Sequence, residues 1–205
     1  MNSRLPRLPL ILLAAALLLL GGLWALRSMN PPVPAGNLAG ASIGGPFTLV
    51  DGDGRTVTSA TFDGRYRLMY FGYTFCPDVC PVDTAKLAAG YKAFETAEPK
   101  RAAQVQPMFV TVDPARDTPA VVKAFAAAFH PRLLGLSGSP EQVAAALKTF
   151  RVYANKVPGS APDAYLVDHL AVFYLFGPKG EPIAFQVGKE ATPETVAAML
   201  KTYVR

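Results

Sequence analysis

The chain has 205 residues, 51% of them apolar and 17% charged, with a formal net charge of +5 and two cysteines. That length carries one domain with a real core, and two cysteines are too few for a disulfide-stapled secreted scaffold. Three of the 20 basic residues (Arg4, Arg7 and Arg27) flank an apolar run, and the rest nearly balance the 15 acidic ones with no basic stripe interleaved with aromatics, which excludes an evident nucleic-acid surface.

Residues 8–26 form that charge-free run. At about 1.5 Å per residue it would span roughly 28 Å, close to the hydrocarbon core of a bilayer. It is longer than a signal-peptide core, and Ala25-Leu26-Arg27 is no small-residue cleavage site. The run therefore reads as an uncleaved transmembrane anchor. Arg4 and Arg7 precede it, and no basic residue follows Arg27 before Arg55, so the positive-inside bias exports the remainder. The expected organisation is a cytoplasmic tail over 1–7, an anchor over 8–26, an extended linker over 27–44 and a domain over 45–205. With no room for a transit peptide ahead of the anchor, the expected location is a bacterial cytoplasmic membrane with the domain in the periplasm.

Asn30-Pro31-Pro32-Val33-Pro34-Ala35-Gly36 is spacer-like. Beyond it, 47–50 and 55–58 flank the Asp51-Gly52-Asp53-Gly54 turn as a hairpin. A buried strand is predicted over 66–70, running into the cysteines. Pro81 suits a first helical position, with Asp83 in the first turn and Leu87, Tyr91 and Phe94 at helical spacing. A strand over 105–112 follows, then a helix opened by Thr118-Pro119 with Val121, Val122, Phe125 and Phe129 on one face. Residues 133–136 read as a short strand, and Ser139-Pro140-Glu141-Gln142 as a capping box opening a helix to Phe150. Pro158, Gly159, Ser160 and Pro162 mark 153–168 as a mobile loop. A hairpin over 170–176 and 183–187 and a helix opened by Thr192-Pro193-Glu194 close the chain. This alternation predicts an α/β fold, a mixed sheet flanked by helices in the thioredoxin-like layout with an N-terminal hairpin extension, and places the cysteines at a strand's carboxyl end.

Cys76-Pro77-Asp78-Val79-Cys80 holds both cysteines, and His169 is one of two histidines. Such a pair forms a disulfide, holds a soft metal ion, or does each at different times. As a purely structural bridge it would close a tiny loop and remove little unfolded-state entropy. His130, at a predicted helix end before Pro131, reads as a cationic cap. Asp113, Arg116 and Asp117 read as organisers of the turn after the 105–112 strand, with Asp117 or Thr118 suited to a helix N-cap, and Asp78 as an exposed loop carboxylate.

Three motifs in order, Tyr70-Phe71-Gly72-Tyr73-Thr74-Phe75 before the cysteines, Val112-Asp113-Pro114-Ala115-Arg116-Asp117-Thr118-Pro119, and Val167-Asp168-His169, together resemble the Sco/SenC family. The resemblance runs from Gly45 to the carboxyl terminus and includes the anchor. It implies a copper-binding, membrane-tethered protein that assists assembly of the dinuclear copper site of cytochrome c oxidase. It further implies that Cys76, Cys80 and His169 ligate copper, as Cu(I) or Cu(II), and that the cysteines cycle between dithiol and disulfide. The implied partners are the copper-site subunit of the oxidase and a periplasmic copper chaperone or thiol reductant. The residue chemistry agrees, because two thiolates suit Cu(I) and an added imidazole makes Cu(II) tolerable. His169 also stands where thioredoxin-like oxidoreductases place a cis-proline, and the cysteine spacing is one residue wider than theirs. The alternative is a thiol–disulfide reductase working through Cys76 and Cys80 alone. A thiol peroxidase fits worst, since Thr74 lies two rather than three residues before Cys76.

Overall fold

The computed structural model describes residues 7–29, 35–159 and 164–205, with side chains in the first stretch described only at residue 9 and over 11–22. The chain divides into two compact units, Met1–Pro32 and Val33–Arg205. In the first, helix α1 (Arg7–Met29) takes in the whole predicted apolar run. Among the described residues no helix is long and apolar enough to cross a membrane. Most of the predicted tail and the proline-rich part of the predicted linker lie outside the described residues.

The second unit is built on strands β1 (Gly36–Asn37), β2 (Thr48–Asp51), β3 (Thr56–Thr58), β4 (Tyr66–Gly72), β5 (Val105–Thr111), β6 (Leu134–Ser137), β9 (Val172–Phe176) and β10 (Pro182–Val187). They form one mixed sheet in the order β1-β10-β9-β4-β5-β6-β2-β3. β4 runs parallel to β5 and antiparallel to β9. Every residue of β4 is buried, as a strand covered on both faces requires. Successive side chains point to opposite faces. Tyr70 accordingly packs on Phe173 (5.3 Å between centroids) on one face, with Phe109 and Phe125 beyond. Phe71 packs on Phe150 (5.3 Å) on the other, with Phe176 and Phe47. Each such buried ring is worth about 1.5–3 kcal/mol relative to exposure.

Helices α2 (Val79–Ala97), α3 (Pro99–Ala102), α4 (Pro119–Phe129), α5 (Pro140–Thr149) and α6 (Pro193–Tyr203) complete the unit. The capping box is formed as read from sequence. Ser139 Oγ accepts from the Gln142 N–H at 3.2 Å, and Gln142 Oε1 accepts from the Ser139 N–H at 2.8 Å. Where α2 meets α6, Gly90 leaves no room for a side chain, since a Cβ there would lie 2.5 Å from Val196 Cβ.

Three expectations need correction. Helix α2 starts at Val79, so Cys80 already lies in its first turn. Pro81 is tolerated at the third helical position because the first four N–H groups of a helix have no intrahelical partner. Residues 153–168 are not simply a loop: β7 (Ala154–Val157) and β8 (Leu166–His169) pair antiparallel as a separate two-stranded ribbon, which puts His169 on a strand. The proline and glycine punctuation marks only the connection between them, of which 160–163 lie outside the described residues. The next strand consequently begins at Val172 rather than Leu170.

His130 is the third correction. It does occupy the C-cap of α4 as read from the sequence, but it is buried, which disfavours the cationic form. Its Nδ1 accepts from the Arg132 N–H at 3.1 Å, its Nε2 faces Glu95 at 3.5 Å, and its ring stands edge-on to Tyr91. Burial lowers its pKa despite the opposing pull of Glu95. The unfolded chain takes up this proton at about pH 6.5, the folded chain only below that. Stability present above the unfolded pKa is thus lost as pH falls through the folded one. A His130→Gln variant lacks this loss. The stability gap between wild type and variant, read by urea denaturation, should narrow between about pH 7 and about pH 5; a gap independent of pH would refute this account.

Candidate metal centre

The cysteine segment leaves the carboxyl end of β4, between its neighbours β5 and β9. Gly72 ends the strand because nothing larger fits. A Cβ would lie 2.9 Å from Tyr70 Cε1, 3.2 Å from Cys80 Sγ and 3.2 Å from Phe109 Cε2. The following turn is pinned by Asp117. This carboxylate accepts from the Thr74 N–H (3.0 Å), the Thr74 hydroxyl (2.6 Å) and the Thr111 hydroxyl (2.6 Å). Its own burial pushes its pKa above the usual carboxylate range, against those hydrogen bonds. Asp117 is expected to organise the turn after the 105–112 strand; its carboxylate instead holds the turn carrying Cys76, and Thr118 is the N-cap of α4.

Both cysteines are free thiols, and their surroundings make them unequal. Cys80 is fully buried, and that burial pushes its thiol pKa strongly up. Cys76 is half-buried. Burial opposes its ionisation too, but the N–H groups of Cys80 and Asp78 donate to its sulfur and carry its pKa below the usual value. The Cys80 N–H lies 3.4 Å from Cys76 Sγ. The start of α2 therefore stabilises the thiolate of the cysteine in front of it, not of the one within it.

His169, the last residue of β8, reaches back so that Nε2 lies 3.2 Å from Cys80 Sγ. Its ring is edge-on to Tyr70 (6.2 Å) and Tyr73 (5.9 Å). Burial lowers the imidazole pKa, which favours the neutral, ligating form. Nδ1 is buried with no hydrogen-bond partner. Donors sharing one ion with bonds of about 2.3 Å to sulfur and about 2.0 Å to nitrogen stand roughly 3.5 Å apart at a tetrahedral angle. The Cys80–His169 pair, at 3.2 Å, is a hydrogen-bond-distance contact slightly tighter than that spacing. Among the described residues no three His, Cys, Asp or Glu side chains converge as they stand.

Cys76 and His169 line an open cleft of about 420 Å³ together with Tyr73, Asp78, Val157 and Val167, while Cys80 lies buried behind it. Asp78 is exposed and precedes α2 without a side-chain capping bond. His130 is not among the lining residues. Tyr70 and Asp83, read from the sequence only as a motif residue and a first-turn acid, lie behind the site, with Asp83 past the first turn of α2. The Tyr70 hydroxyl donates to Asp83 at 3.5 Å, and Lys86 Nζ donates both to Asp83 (3.1 Å) and to the Gly188 carbonyl (2.9 Å). The only local hint was an acid at a buried helical position one turn beyond Cys80.

A family model described as SCO1/SenC matches residues 35–205. The chain is 42% identical over 145 residues to protein SCO1 homolog 1, mitochondrial, of Arabidopsis thaliana, covering 71% of this chain and 42% of that one. It is 44% identical over 160 residues to protein SenC of Rhodobacter capsulatus, covering 78% of this chain and 69% of that one. The alignment thus takes in under half of the Arabidopsis relative. Among solved structures, Bradyrhizobium japonicum ScoI with copper bound superposes with a TM-score of 0.70 at 42% identity, over 78% of this chain and 99% of that one. BsSco, a member of the Sco family of cytochrome c oxidase assembly proteins with a disulfide switch, superposes with a TM-score of 0.60 at 29% identity, over 77% and 91%. The mixed sheet with flanking helices is the thioredoxin-like architecture of these Sco structures.

Proposed function

This chain belongs to the SCO1/SenC family, and from that membership we propose that it binds copper and delivers it to the dinuclear copper (CuA) site of cytochrome c oxidase during assembly. In this reading Cys76, Cys80 and His169 are the ligands. The observation that carries it is a neutral imidazole nitrogen 3.2 Å from a buried thiol sulfur, with a second thiol one hydrogen bond away at the lip of the same cleft. Two soft thiolates hold Cu(I), and the imidazole extends the set to Cu(II). Three protein ligands leave a position open toward solvent, through which an acceptor's sulfur or nitrogen can take the ion. The apolar run 8–26, helical within α1, is proposed as a single-pass anchor in a bacterial cytoplasmic membrane, with the domain in the periplasm.

The inequality of the two thiols favours a second reading, a reductase for the cysteines of the target copper site. The Cys76 thiolate would attack a target disulfide to form a mixed disulfide, and Cys80 would resolve it. Two electrons then pass to the target, which leaves as two thiols, while this pair becomes a disulfide. The disulfide switch of BsSco is consistent with such cycling.

Titrating the reduced protein with Cu(I) and Cu(II) tests the first reading. One ion per chain is expected, with sulfur-to-copper charge-transfer absorption for Cu(II) that changes in Cys80→Ser and disappears when Cys76 and Cys80 are both replaced by Ser. Absence of binding, or stronger retention of zinc, overturns the metal assignment, because two Cys and one His also suit Zn(II).

A further inference from the structure

The ribbon that carries His169 is not part of the main sheet. An isolated two-stranded ribbon is marginal by itself, so its position depends on what it is tied to. At the end that carries His169, the Leu170 N–H to Tyr153 carbonyl bond extends the ribbon by one pair, and the Gly188 N–H to Ala171 carbonyl bond ties the chain leading into β9 to the residue after β10. At its other end the tie is made of side chains. The Tyr165 hydroxyl donates to both oxygens of the buried Asp113 carboxylate, at 2.8 and 3.0 Å. The Arg116 guanidinium lies over the Tyr165 ring, 3.7 Å from its centroid. Arg116 Nε donates to Asp113 at 2.6 Å and Nη1 to the Tyr165 carbonyl at 3.0 Å. The same guanidinium lies 5.1 Å from the ring centroid of Phe75, next to Cys76. Two residues on from Tyr165, the Val167 N–H donates to the Tyr73 hydroxyl at 3.2 Å. Arg116 thus touches the cysteine turn and the histidine strand at once. Its planar fork stacks and hydrogen-bonds together, which a lysine cannot do.

We propose that Tyr165 and Arg116 are positioning residues, a clasp that holds His169 against Cys80 and thereby sets the preference of the site between Cu(II) and Cu(I). The proposal rests on the copper reading above. With the clasp closed the site offers two sulfurs and a nitrogen, a set that holds either ion. With it open β8 loses its side-chain tie to the cysteine turn, nothing then holds the imidazole against Cys80, and only the two thiolates remain as a fixed set, one that keeps Cu(I) and releases Cu(II).

Tyr165→Ala removes both the ring and its hydroxyl. It should weaken Cu(II) binding by about 10–100-fold, the range for losing a group that orients a metal ligand, and shift the charge-transfer band toward that of His169→Ala. Cu(I) affinity, measured by competition with a chelator, should stay near wild type. Tyr165→Phe keeps the stack and should restore most of the Cu(II) affinity, whereas Arg116→Lys should not restore what Arg116→Ala loses. In the His169→Ala background, Tyr165→Ala should add no further loss. Wild-type Cu(II) affinity and spectrum in Tyr165→Ala would overturn the clasp, and so would equal loss of both ions with a lowered melting temperature, which marks a general defect in folding. A readout free of copper separates this from the function itself. In the metal-free protein, nuclear Overhauser contacts between the His169 ring and the rings of Tyr70 and Tyr73 should vanish in Tyr165→Ala. Their persistence sinks the clasp even if copper binds. Failure of the wild-type protein to bind either ion sinks the copper reading and the ion preference built on it.

Discussion

His169→Ala is expected to cost more than the 10–100-fold in Cu(II) affinity typical of changes beside a metal ligand, while leaving disulfide exchange by the cysteines largely intact. The two effects separate because they rest on different groups. The imidazole is the one nitrogen donor beside the sulfurs, lying 3.2 Å from Cys80 Sγ. The lowered Cys76 pKa comes chiefly from the backbone N–H groups of Cys80 and Asp78, which the substitution leaves in place. Binding is measured by competition titration, and exchange by the rate at which the reduced pair opens a model disulfide. The same variant divides the two proposed functions. If it supports normal oxidase assembly, copper delivery is wrong and the reductase reading gains.

Asp117→Ala should be among the most damaging single changes to the stability of the domain, and Asp117→Asn among the mildest at such a buried position. Alanine strands three donors, the Thr74 N–H and the hydroxyls of Thr74 and Thr111. Each unsatisfied buried donor costs about 1–3 kcal/mol, and water entering the vacated space recovers part of that. A net loss of about 3 kcal/mol is expected from urea denaturation. Charge is not what stabilises this residue, since burial holds its carboxyl above the usual range. Asparagine keeps the shape and one acceptor oxygen, and hydroxyls can turn to accept from its amide. The functional consequence follows from the same bonds. The Cys76 turn loosens in the alanine variant, so Cys76 alkylation at fixed pH should change there and stay near wild type in asparagine. An alanine variant as stable as wild type, or an asparagine variant as unstable as alanine, would remove Asp117 from this role.

Much of the scaffold is legible locally. The Ser139 capping box, the Thr118-Pro119 and Thr192-Pro193 helix starts and the 47–58 hairpin are set by residues within four positions of each other, and each forms where the sequence puts it. The error at α2 has a local cause as well, because Pro81 is acceptable at more than one position of a first turn. His130 was misread because its sequence neighbours, a helix end and a proline, say nothing of Glu95 or Tyr91 one helix away. The β7–β8 ribbon was hidden behind Pro158, Gly159 and Pro162, strong turn signals that concern only its connection.

By itself, the sequence determined the thiol pair at a strand-to-helix junction, the chemical kind of each candidate ligand and, through three motifs in order, the family. Donor type and helix or strand starts are properties of single residues and short windows, so they survive without a fold. Only the tertiary structure decided which sulfur the imidazole meets, which thiol is buried and which is poised, and what holds the histidine strand in place. Those outcomes depend on β4 lying between β5 and β9 in the middle of the sheet, which brings the ends of three distant segments together at the carboxyl end of β4. Contacts between residues tens of positions apart follow from strand order and packing, and no local signal in the chain encodes them.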